Sequence, residues 1–451
     1  MMTNVMTNAT PRPNNNQATP QAQKALEIAQ QAELTHRALN AWAYLDWNYS
    51  VSGEQSSTDR SGPLSSIVFG IKDLFNVDSM PTKGGTRAAL PTLESKESPL
   101  VSSLKAAGAL IVGKTNMHEV AMGPTGENIH TGDVCNPFDA LRMAGGSSGG
   151  SAVAVATGSC QIALGSDTGG SVRIPAALCG VIGFKPSYGV LSLEGALPLS
   201  LTCDHAGILA RSVQECASTF EVLTGAPVVR PALARRPKFF VPRAWLKTRL
   251  SASIREAFEQ SLATLATQAD IVYLDDLPLT QALTAAWDCY VPIVRAEGAY
   301  VHRQVMHEVE TLAADAQLSA SGFSPSVFGL IQTGSEMTAV DYLAARQQRR
   351  TIRSLLDSVL ASCDGFLLPT TSVQAPLRGE TEVAIEHGKL PTREALLKLT
   401  LAFSMCGQSA ISLPTAMKGG LPTSLQIVAR RNEDAHLLAL AAWVETQLLQ
   451  A

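Results

Sequence analysis

The segment from Ala144 to Pro175, AGGSSGGSAVAVATGSCQIALGSDTGGSVRIP, holds two glycine-flanked serines, Ser147 and Ser171, that lie 24 residues apart. Glycine loses much conformational entropy on folding and offers no side chain to pack, so this density of glycine indicates backbone conformations or close approaches that a Cβ would prevent. Between the two clusters, the small apolar residues 151–157 predict a tightly packed helix and 161–165 a short buried strand. We therefore expect the two serines to meet in space.

The residues before this segment alternate between strand and helix patterns. A short apolar strand is predicted at 66–70, a helix at 98–108 with glycine at its C-cap, and a second strand at 109–113. Lys72 follows the first strand just beyond its C-terminal end, where open α/β sheets build their sites. The alternation predicts an α/β fold, with a parallel or mixed sheet covered by helices.

The same alternation extends along the rest of the chain. Residues 1–20 are rich in Asn, Thr and Pro and are expected to be disordered. Residues 49–62 are expected to form a polar connector, and 225–236, which contain three Pro or Gly, a linker. Pro292 is expected to kink or break a helical stretch at 279–310. Further strands are predicted at 238–241, 271–274, 365–368, 409–413 and 423–428, and further helices at 21–40, 212–223, 252–267, 338–362, 391–405 and 433–449.

Composition narrows the class of protein. The chain has 451 residues, of which 45% are hydrophobic and only 16% charged, which is typical of a globular enzyme folded as one large domain. Its net charge of −4 provides no global field for nucleic acid or an anionic membrane, and the basic runs at 230–249 and 346–353 are interpreted as solvated linker and helix faces. The eight cysteines form no CxxC pair and predict reduced, buried thiols, so a cytoplasmic location is expected.

The motif GGSSGGS followed by GSDTGGSVRIPAALCGVIGFKPSYG resembles the signature of the amidase signature family of amidohydrolases. The resemblance extends upstream to GIKD at 70–73 and downstream to LQIV at 425–428, and it is strong over about residues 60–225. It implies a single α/β/α domain over residues 21–451 around a large mixed sheet, commonly as a homodimer. It also implies a catalytic set of Ser171 as nucleophile, Ser147 as a bridging serine after a cis peptide, and Lys72 as the base.

Hydrolysis of an amide by a serine needs donors for the developing oxyanion. Successive N–H groups in a glycine-rich turn that leads into a helix form an anion-binding nest, so the turn containing Thr168, Gly169, Gly170 and Ser171 is the predicted oxyanion hole. Asp167 and Arg173 flank this turn and are expected to support it as a pair.

Lys72 follows an apolar strand, so its burial is expected. Removal of its amine from water would lower its pKa enough for the amine to act as a base.

Two rival motifs lead to other chemistry. Residues 145–149 also satisfy GxSxG, the nucleophile elbow of α/β-hydrolases, which would make Ser147 the nucleophile with Asp204 and His205 as partners. Adjacent partners are geometrically unfavourable, because the acid must reach the far nitrogen of the imidazole. Residues 102–105 match the SxxK motif of penicillin-binding proteins, but neither of the accompanying motifs SDN and KTG occurs, so this match is attributed to chance.

The scattered histidines and the absence of GxxxxGK[ST] predict no metal and no ATP, hence no cofactor.

The sequence thus predicts an amidase that cleaves a small non-peptide amide and releases ammonia or an amine. The alternatives are the A subunit of a glutamyl-tRNA amidotransferase, a biuret-type hydrolase, and an inactive scaffold, against which the intact Lys72, Ser147 and Ser171 argue. The A subunits usually have Gln where this chain has Ile174, whereas TGEN at 125–128 resembles both their TEN segment and that of the biuret-type hydrolases. Ile174 beside the nucleophile favours an uncharged acyl group, and pocket walls are expected from 118–135, 188–205 and 287–328.

Overall fold

The structure is a computed structural model that describes residues 20–46, 62–65, 67–90, 96–227, 235–312 and 314–449. The tail expected to be disordered lies outside the described residues except for Pro20, which begins a helix. Most of the two expected connectors, at 49–62 and 225–236, also lies outside them.

The centre of the fold is a mixed sheet of eleven strands in the order β1-β3-β2-β4-β6-β5-β12-β13-β9-β7-β8, and β10 and β11 form a separate antiparallel hairpin. The strands are β1 Trp42–Leu45, β2 Val68–Lys72, β3 Leu110–Thr115, β4 Ile162–Ser166, β5 Ile182–Lys185, β6 Ala206–Ala210, β7 Lys238–Val241, β8 Asp270–Tyr273, β9 Gly365–Pro369, β10 Glu382–Ile385, β11 Gly388–Pro391, β12 Ala410–Lys418 and β13 Leu421–Val428. Strand β2 runs parallel to both β3 and β4, while β12 and β13 pair antiparallel with each other.

Helices pack around this sheet. They are α1 Pro20–Leu39, α2 Pro99–Ala106, α3 Gly149–Ala156, α4 Arg173–Cys179, α5 Val213–Thr224, α6 Arg243–Leu246, α7 Ala252–Ala266, α8 Leu277–Val309, α9 Ala314–Ser321, α10 Pro325–Ser335, α11 Ala339–Leu360, α12 Thr392–Leu397, α13 Leu401–Cys406 and α14 Asp434–Leu449. Every residue of β2, β4 and β13 is buried, as expected for central strands covered on both faces. The α/β architecture with a large mixed sheet is confirmed.

Several predicted boundaries need correction. Lys72 is the last residue of β2 rather than a residue beyond the strand. Pro292 does not break the predicted helical stretch, since α8 is 33 residues long, contains Pro292 in its interior and has buried neighbours such as Ile293. The predicted helix at 391–405 is two short helices, α12 and α13. Arg349, in the second basic run, is buried and donates to Thr202, so that run is not wholly a solvated face.

All eight cysteines are free thiols, and six of them are buried, which agrees with the prediction from their spacing. A search of the described helices finds none whose length and hydropathy suit a membrane span.

Close packing of α3 against neighbouring loops gives a stability prediction. A Cβ on Gly150 would lie 2.3 Å from the carbonyl oxygen of Ala41 and 2.4 Å from that of Asn116, and neither backbone atom is free to move aside. Gly150→Ala should therefore lower the free energy of unfolding by about 1–3 kcal/mol, as overpacking does. Gly329 in α10 is the matched control, because a Cβ there meets nothing within 4 Å. Gly329→Ala should be neutral or stabilising by up to about 1 kcal/mol. Urea denaturation followed by circular dichroism measures both, and equal effects would contradict the close approach at Gly150.

Candidate active site

The parallel pairing of β2 with β4 brings Lys72 beside the end of the glycine-rich segment. Ile71 lies opposite Leu164, so Lys72 and Ser166 occupy neighbouring strand ends. The Nζ atom of Lys72 donates to Ser147 Oγ at 2.6 Å and to Ser166 Oγ at 2.9 Å. Lys72 is completely buried, as the sequence predicts.

Burial changes the acid–base behaviour of this lysine. Loss of hydration disfavours the ammonium form and lowers the pKa of Lys72 to about 7, although the charges of Asp167 and Asp204 act in the opposite direction. A substantial fraction of the amine is therefore neutral near pH 7. This is the state in which Lys72 accepts a proton.

Ser147 lies where the first glycine-rich cluster contacts the second, which carries Ser171. The Gly146–Ser147 peptide is cis, and the carbonyl oxygen of Ser147 accepts from the backbone N–H of His118 at 3.1 Å. The next residue, Ser148, donates its N–H to the carbonyl oxygen of Ser171 at 3.2 Å. The two serine clusters thus meet, as predicted, although no hydrogen bond joins the Ser147 and Ser171 hydroxyl groups in the described part of the chain.

The turn that carries Ser171 leaves its donors free. The N–H groups of residues 168–171 have no acceptor among the described residues. Meanwhile the carbonyl oxygen of Gly169 accepts from Thr400 Oγ1 at 2.6 Å, and that of Gly170 from the N–H of Ile174 at 2.7 Å. Gly170 has a φ of +144°, a conformation that favours glycine. The result is a turn in which the carbonyl oxygens of Gly169 and Gly170 are satisfied and the N–H groups are available to an anion.

A buried ion pair supports this turn from below. Arg173 donates from Nε and Nη2 to the two carboxylate oxygens of Asp167, each at 3.0 Å, and both side chains are fully buried. The remaining donors of Arg173 bond Ser404, Gln426 and the carbonyl oxygen of Thr400. Burial alone would raise the pKa of Asp167, but the guanidinium holds it well below its usual range.

The residues proposed for the rival elbow serve other purposes. Asp204 accepts from Thr168 Oγ1 at 2.6 Å and from the N–H groups of Leu199 and Ser200, and burial raises its pKa to about 6. His205 Nδ1 lies 3.0 Å from the carbonyl oxygen of Asp167. Neither residue contacts Ser147, whose partner is Lys72. The hydrogen bonds of these residues therefore give the elbow interpretation no support.

Ser171 opens into a cavity of about 730 Å³, which includes its mouth. The lining residues are Ala121, Met122, Gly123, Pro124, Thr168, Ser171, Leu199, Trp287, Tyr290, Val291, Val294, Arg295, Leu330, Arg393 and Leu397. All three predicted wall segments contribute to this lining. Ile174 does not, because it is fully buried and lies beneath Gly170, so its side chain gives no information about the acyl group.

Several residues of the site were not predicted from the sequence. Ser166 carried a usable signal, because the last residue of a strand parallel to β2 must lie beside Lys72. Thr400, Arg393 and Tyr290 carried none, since they come from distant helices or loops and match no motif.

The described residues contain no group of three or more His, Cys, Asp or Glu side chains placed to hold a metal ion.

Comparison with known proteins identifies relatives over most of the chain. The profile of the family described as Amidase matches residues 25–438. AtzE, a subunit of the 1-carboxybiuret hydrolase of Pseudomonas sp. (strain ADP), is 31% identical, over 86% of this chain and 83% of its own length. The A subunit of the glutamyl-tRNA(Gln) amidotransferase of Legionella pneumophila (strain Corby) is also 31% identical, over 90% of each chain. A solved structure described as an amidase superimposes with a TM-score of 0.86 and 41% identity, over 94% of this chain and 96% of its own.

The Asp167–Arg173 pair leads to a prediction about stability. Asp167→Asn leaves the guanidinium buried without its counter-charge, so the free energy of unfolding should fall by about 3–5 kcal/mol. The control is Asp275→Asn, which removes the partner of Arg243 from a pair exposed to solvent. That change should leave stability nearly unaltered. Thermal and urea denaturation of both variants measures the difference. An unchanged free energy of unfolding in Asp167→Asn would mean that the turn does not depend on this pair.

Proposed function

The chain belongs to the amidase signature family and is an amide hydrolase, and on that premise we propose that it cleaves the C–N bond of a small carboxylic amide through an acyl-enzyme on Ser171. The observation that carries the proposal is the buried Lys72 amine hydrogen-bonded to Ser147, beside a turn whose free N–H groups surround Ser171. These are the base and the oxyanion donors that a serine nucleophile needs.

Acylation follows from this arrangement. Ser171 Oγ attacks the carbonyl carbon and passes its proton to Ser147, while Ser147 passes its own proton to the neutral amine of Lys72. The relay requires a hydrogen bond between the two serine hydroxyls, and such catalytic contacts tighten when substrate is bound. The N–H groups of Thr168, Gly169, Gly170 and Ser171 stabilise the oxyanion. When the C–N bond breaks, the proton returns through Ser147 to the leaving nitrogen.

Deacylation uses the same groups in reverse. A water molecule gives a proton through Ser147 to Lys72 and attacks the ester carbonyl, and the C–O bond to Ser171 breaks as the serine regains its proton. Ammonia or an amine leaves in the first half-reaction and a carboxylic acid in the second. In this proposal Asp167 and Arg173 hold the turn and take no part in proton transfer.

The alternatives named for this site remain a glutaminase that acts within a tRNA-dependent complex and a biuret-type hydrolase. Similarity to the amidotransferase and carboxybiuret hydrolase subunits described above supports keeping both. Since Ile174 lies outside the cavity lining, its identity no longer separates these classes. We favour a free-standing hydrolase, homodimeric and cytoplasmic, that uses no metal, nucleotide or nucleic acid.

The test is hydrolysis by the purified chain alone. In EDTA, without ATP, tRNA or other proteins, it should release ammonia from at least one member of a panel that includes glutamine, biuret and simple primary amides. A fluorophosphonate or sulfonyl fluoride should modify Ser171 and no other serine, as shown by mass mapping. Turnover that needs other added proteins and tRNA would replace the free hydrolase with the complex, and labelling at Ser147 would contradict the nucleophile.

The role of Lys72 as a neutral base makes a separate prediction. Since protonation removes the base, kcat/KM should rise with pH through the pKa of Lys72, about 7, and level off above it. Arginine stays charged in proteins, so Lys72→Arg should lose turnover as fully as Lys72→Ala, by a factor of about 10² or more. Steady-state rates from pH 6 to 10 measure both effects, with folding checked by circular dichroism. Substantial activity in Lys72→Arg would instead mean that the lysine serves only as a positive charge.

A further inference from the structure

Two arginines line the cavity of Ser171 without a counter-charge. Arg295 projects from α8, and Arg393 lies at the start of α12. Neither makes an ion pair within the described part of the chain, and the residues that line the cavity include no Asp or Glu. The whole protein has more acidic than basic residues, 39 against 35, so unpaired positive charge at this place does not follow from composition.

The hydrogen-bonding capacity of both side chains is largely unused. Arg393 donates from Nη2 to the carbonyl oxygen of Met122 at 3.3 Å, and the side chain of Arg295 has no acceptor among the described residues. A guanidinium has five N–H donors in a fixed planar arrangement. Most of the donors in this pair therefore have no acceptor among the described residues. The other lining residues are mainly apolar, such as Trp287, Val294 and Leu397, and the polar side chains among them are the hydroxyls of Thr168, Ser171 and Tyr290.

The two charges also influence each other and the catalytic side of the cavity. Burial lowers the pKa of Arg393; Tyr290 acts in the opposite direction, and Arg295 lowers it further. Burial lowers the pKa of His118 to about 3, and the charges of Arg393 and Lys72 contribute. Arg393 thus lies within electrostatic reach of both Arg295 and the His118 side of the site. An anion between the two arginines would relieve this repulsion.

We propose that Arg295 and Arg393 bind a carboxylate carried by the substrate, so that the enzyme acts on small amides bearing a negative charge. This inference rests on the proposed amide hydrolysis at Ser171 and specifies its substrate class. Guanidinium groups recognise carboxylates through paired, charge-assisted hydrogen bonds, and apolar walls strengthen such contacts. The rest of the cavity then accommodates the short apolar spacer between the carboxylate and the amide. In this scheme the two arginines position the substrate and take no part in the transfer of protons.

The first experiment compares matched amides. Malonamate, succinamate and glutaramate carry a carboxylate, whereas their methyl esters are neutral and similar in shape; N-carboxymethyl amides place the charge on the leaving-group side. At least one charged amide should exceed its neutral counterpart in kcat/KM by about 10- to 100-fold, the range expected for hydrogen bonds to a charged group. Arg295→Gln and Arg393→Gln should each remove most of this preference, by raising KM for the charged amides far more than for their neutral esters. Arg393→Lys should retain part of it.

Arg303→Gln provides the matched control. Arg303 lies further along α8, donates to the carbonyl oxygen of Tyr300 and does not line the cavity. Its removal takes away the same charge from the same helix and should leave the preference intact. An equal loss in Arg303→Gln would show that net charge, and not the cavity pair, attracts the substrate, and would overturn the proposal.

A binding measurement separates this proposal from catalysis itself. In the Ser171→Ala background, which removes the nucleophile, calorimetry should show the preferred charged amide binding at least about tenfold more tightly than its methyl ester, and this difference should vanish with Arg393→Gln. If Ser171 is labelled and neutral amides are hydrolysed and bound as well as charged ones, the carboxylate site is wrong and the proposed function stands. If no amide is hydrolysed but the difference in binding persists, the proposed function fails and the carboxylate site stands.

Discussion

The buried pair formed by Asp167 and Arg173 is the interaction on which the rest of the site depends. Two opposite charges without solvent are stable only when each finds enough hydrogen-bond partners, and removal of either would leave the other uncompensated. Here the carboxylate also accepts from Ser404 Oγ and the N–H of Val172, and the guanidinium bonds Gln426 and Thr400. The network around this ion pair thereby links the end of β4 and the start of α4 to α13 and β13. The glycine-rich turn between Asp167 and Arg173 has its shape set at both ends.

Burial has a different effect on the charge of Lys72. Arg173 has a carboxylate among its hydrogen-bond partners, whereas Lys72 has two hydroxyls, and burial lowers the pKa of Lys72 to about 7. Asp167 and Asp204 favour the ammonium form, yet neither hydrogen-bonds Lys72, and desolvation remains the larger influence. Desolvation in this interior thus leaves the Lys72 amine near the point of titration. Both side chains are fully buried, but an amine has a lower intrinsic pKa than a guanidinium, and the Lys72 amine has no carboxylate among its hydrogen-bond partners.

Local sequence determined those parts of the site that lie at the ends of strands or in glycine-rich turns. The apolar run before Lys72 and the clusters around Ser147 and Ser171 were sufficient to predict burial, the meeting of the serines and the free N–H groups. Strands β5 and β6 were not predicted, because both are short, each contains a glycine and neither shows alternation. Thr400 and Arg393 were not predicted either, since a single polar residue in an apolar helix or loop gives no sign of the distant turn or cavity that it contacts. The family resemblance suggested roles for Lys72, Ser147 and Ser171, and the structure showed which residues hold them in place.

The supports of the Ser171 turn come late in the chain. Thr400, Ser404 and Gln426 follow Ser171 by more than 220 residues. Chains are made from the N-terminus at roughly 5–20 residues per second, so the ribosome reaches Gln426 at least about ten seconds after it has added Ser171. Through that interval the ion pair and its turn lack the partners that hold them in place. A nascent chain that stops before these supports would therefore carry Lys72, Ser147 and Ser171 and still lack a competent site.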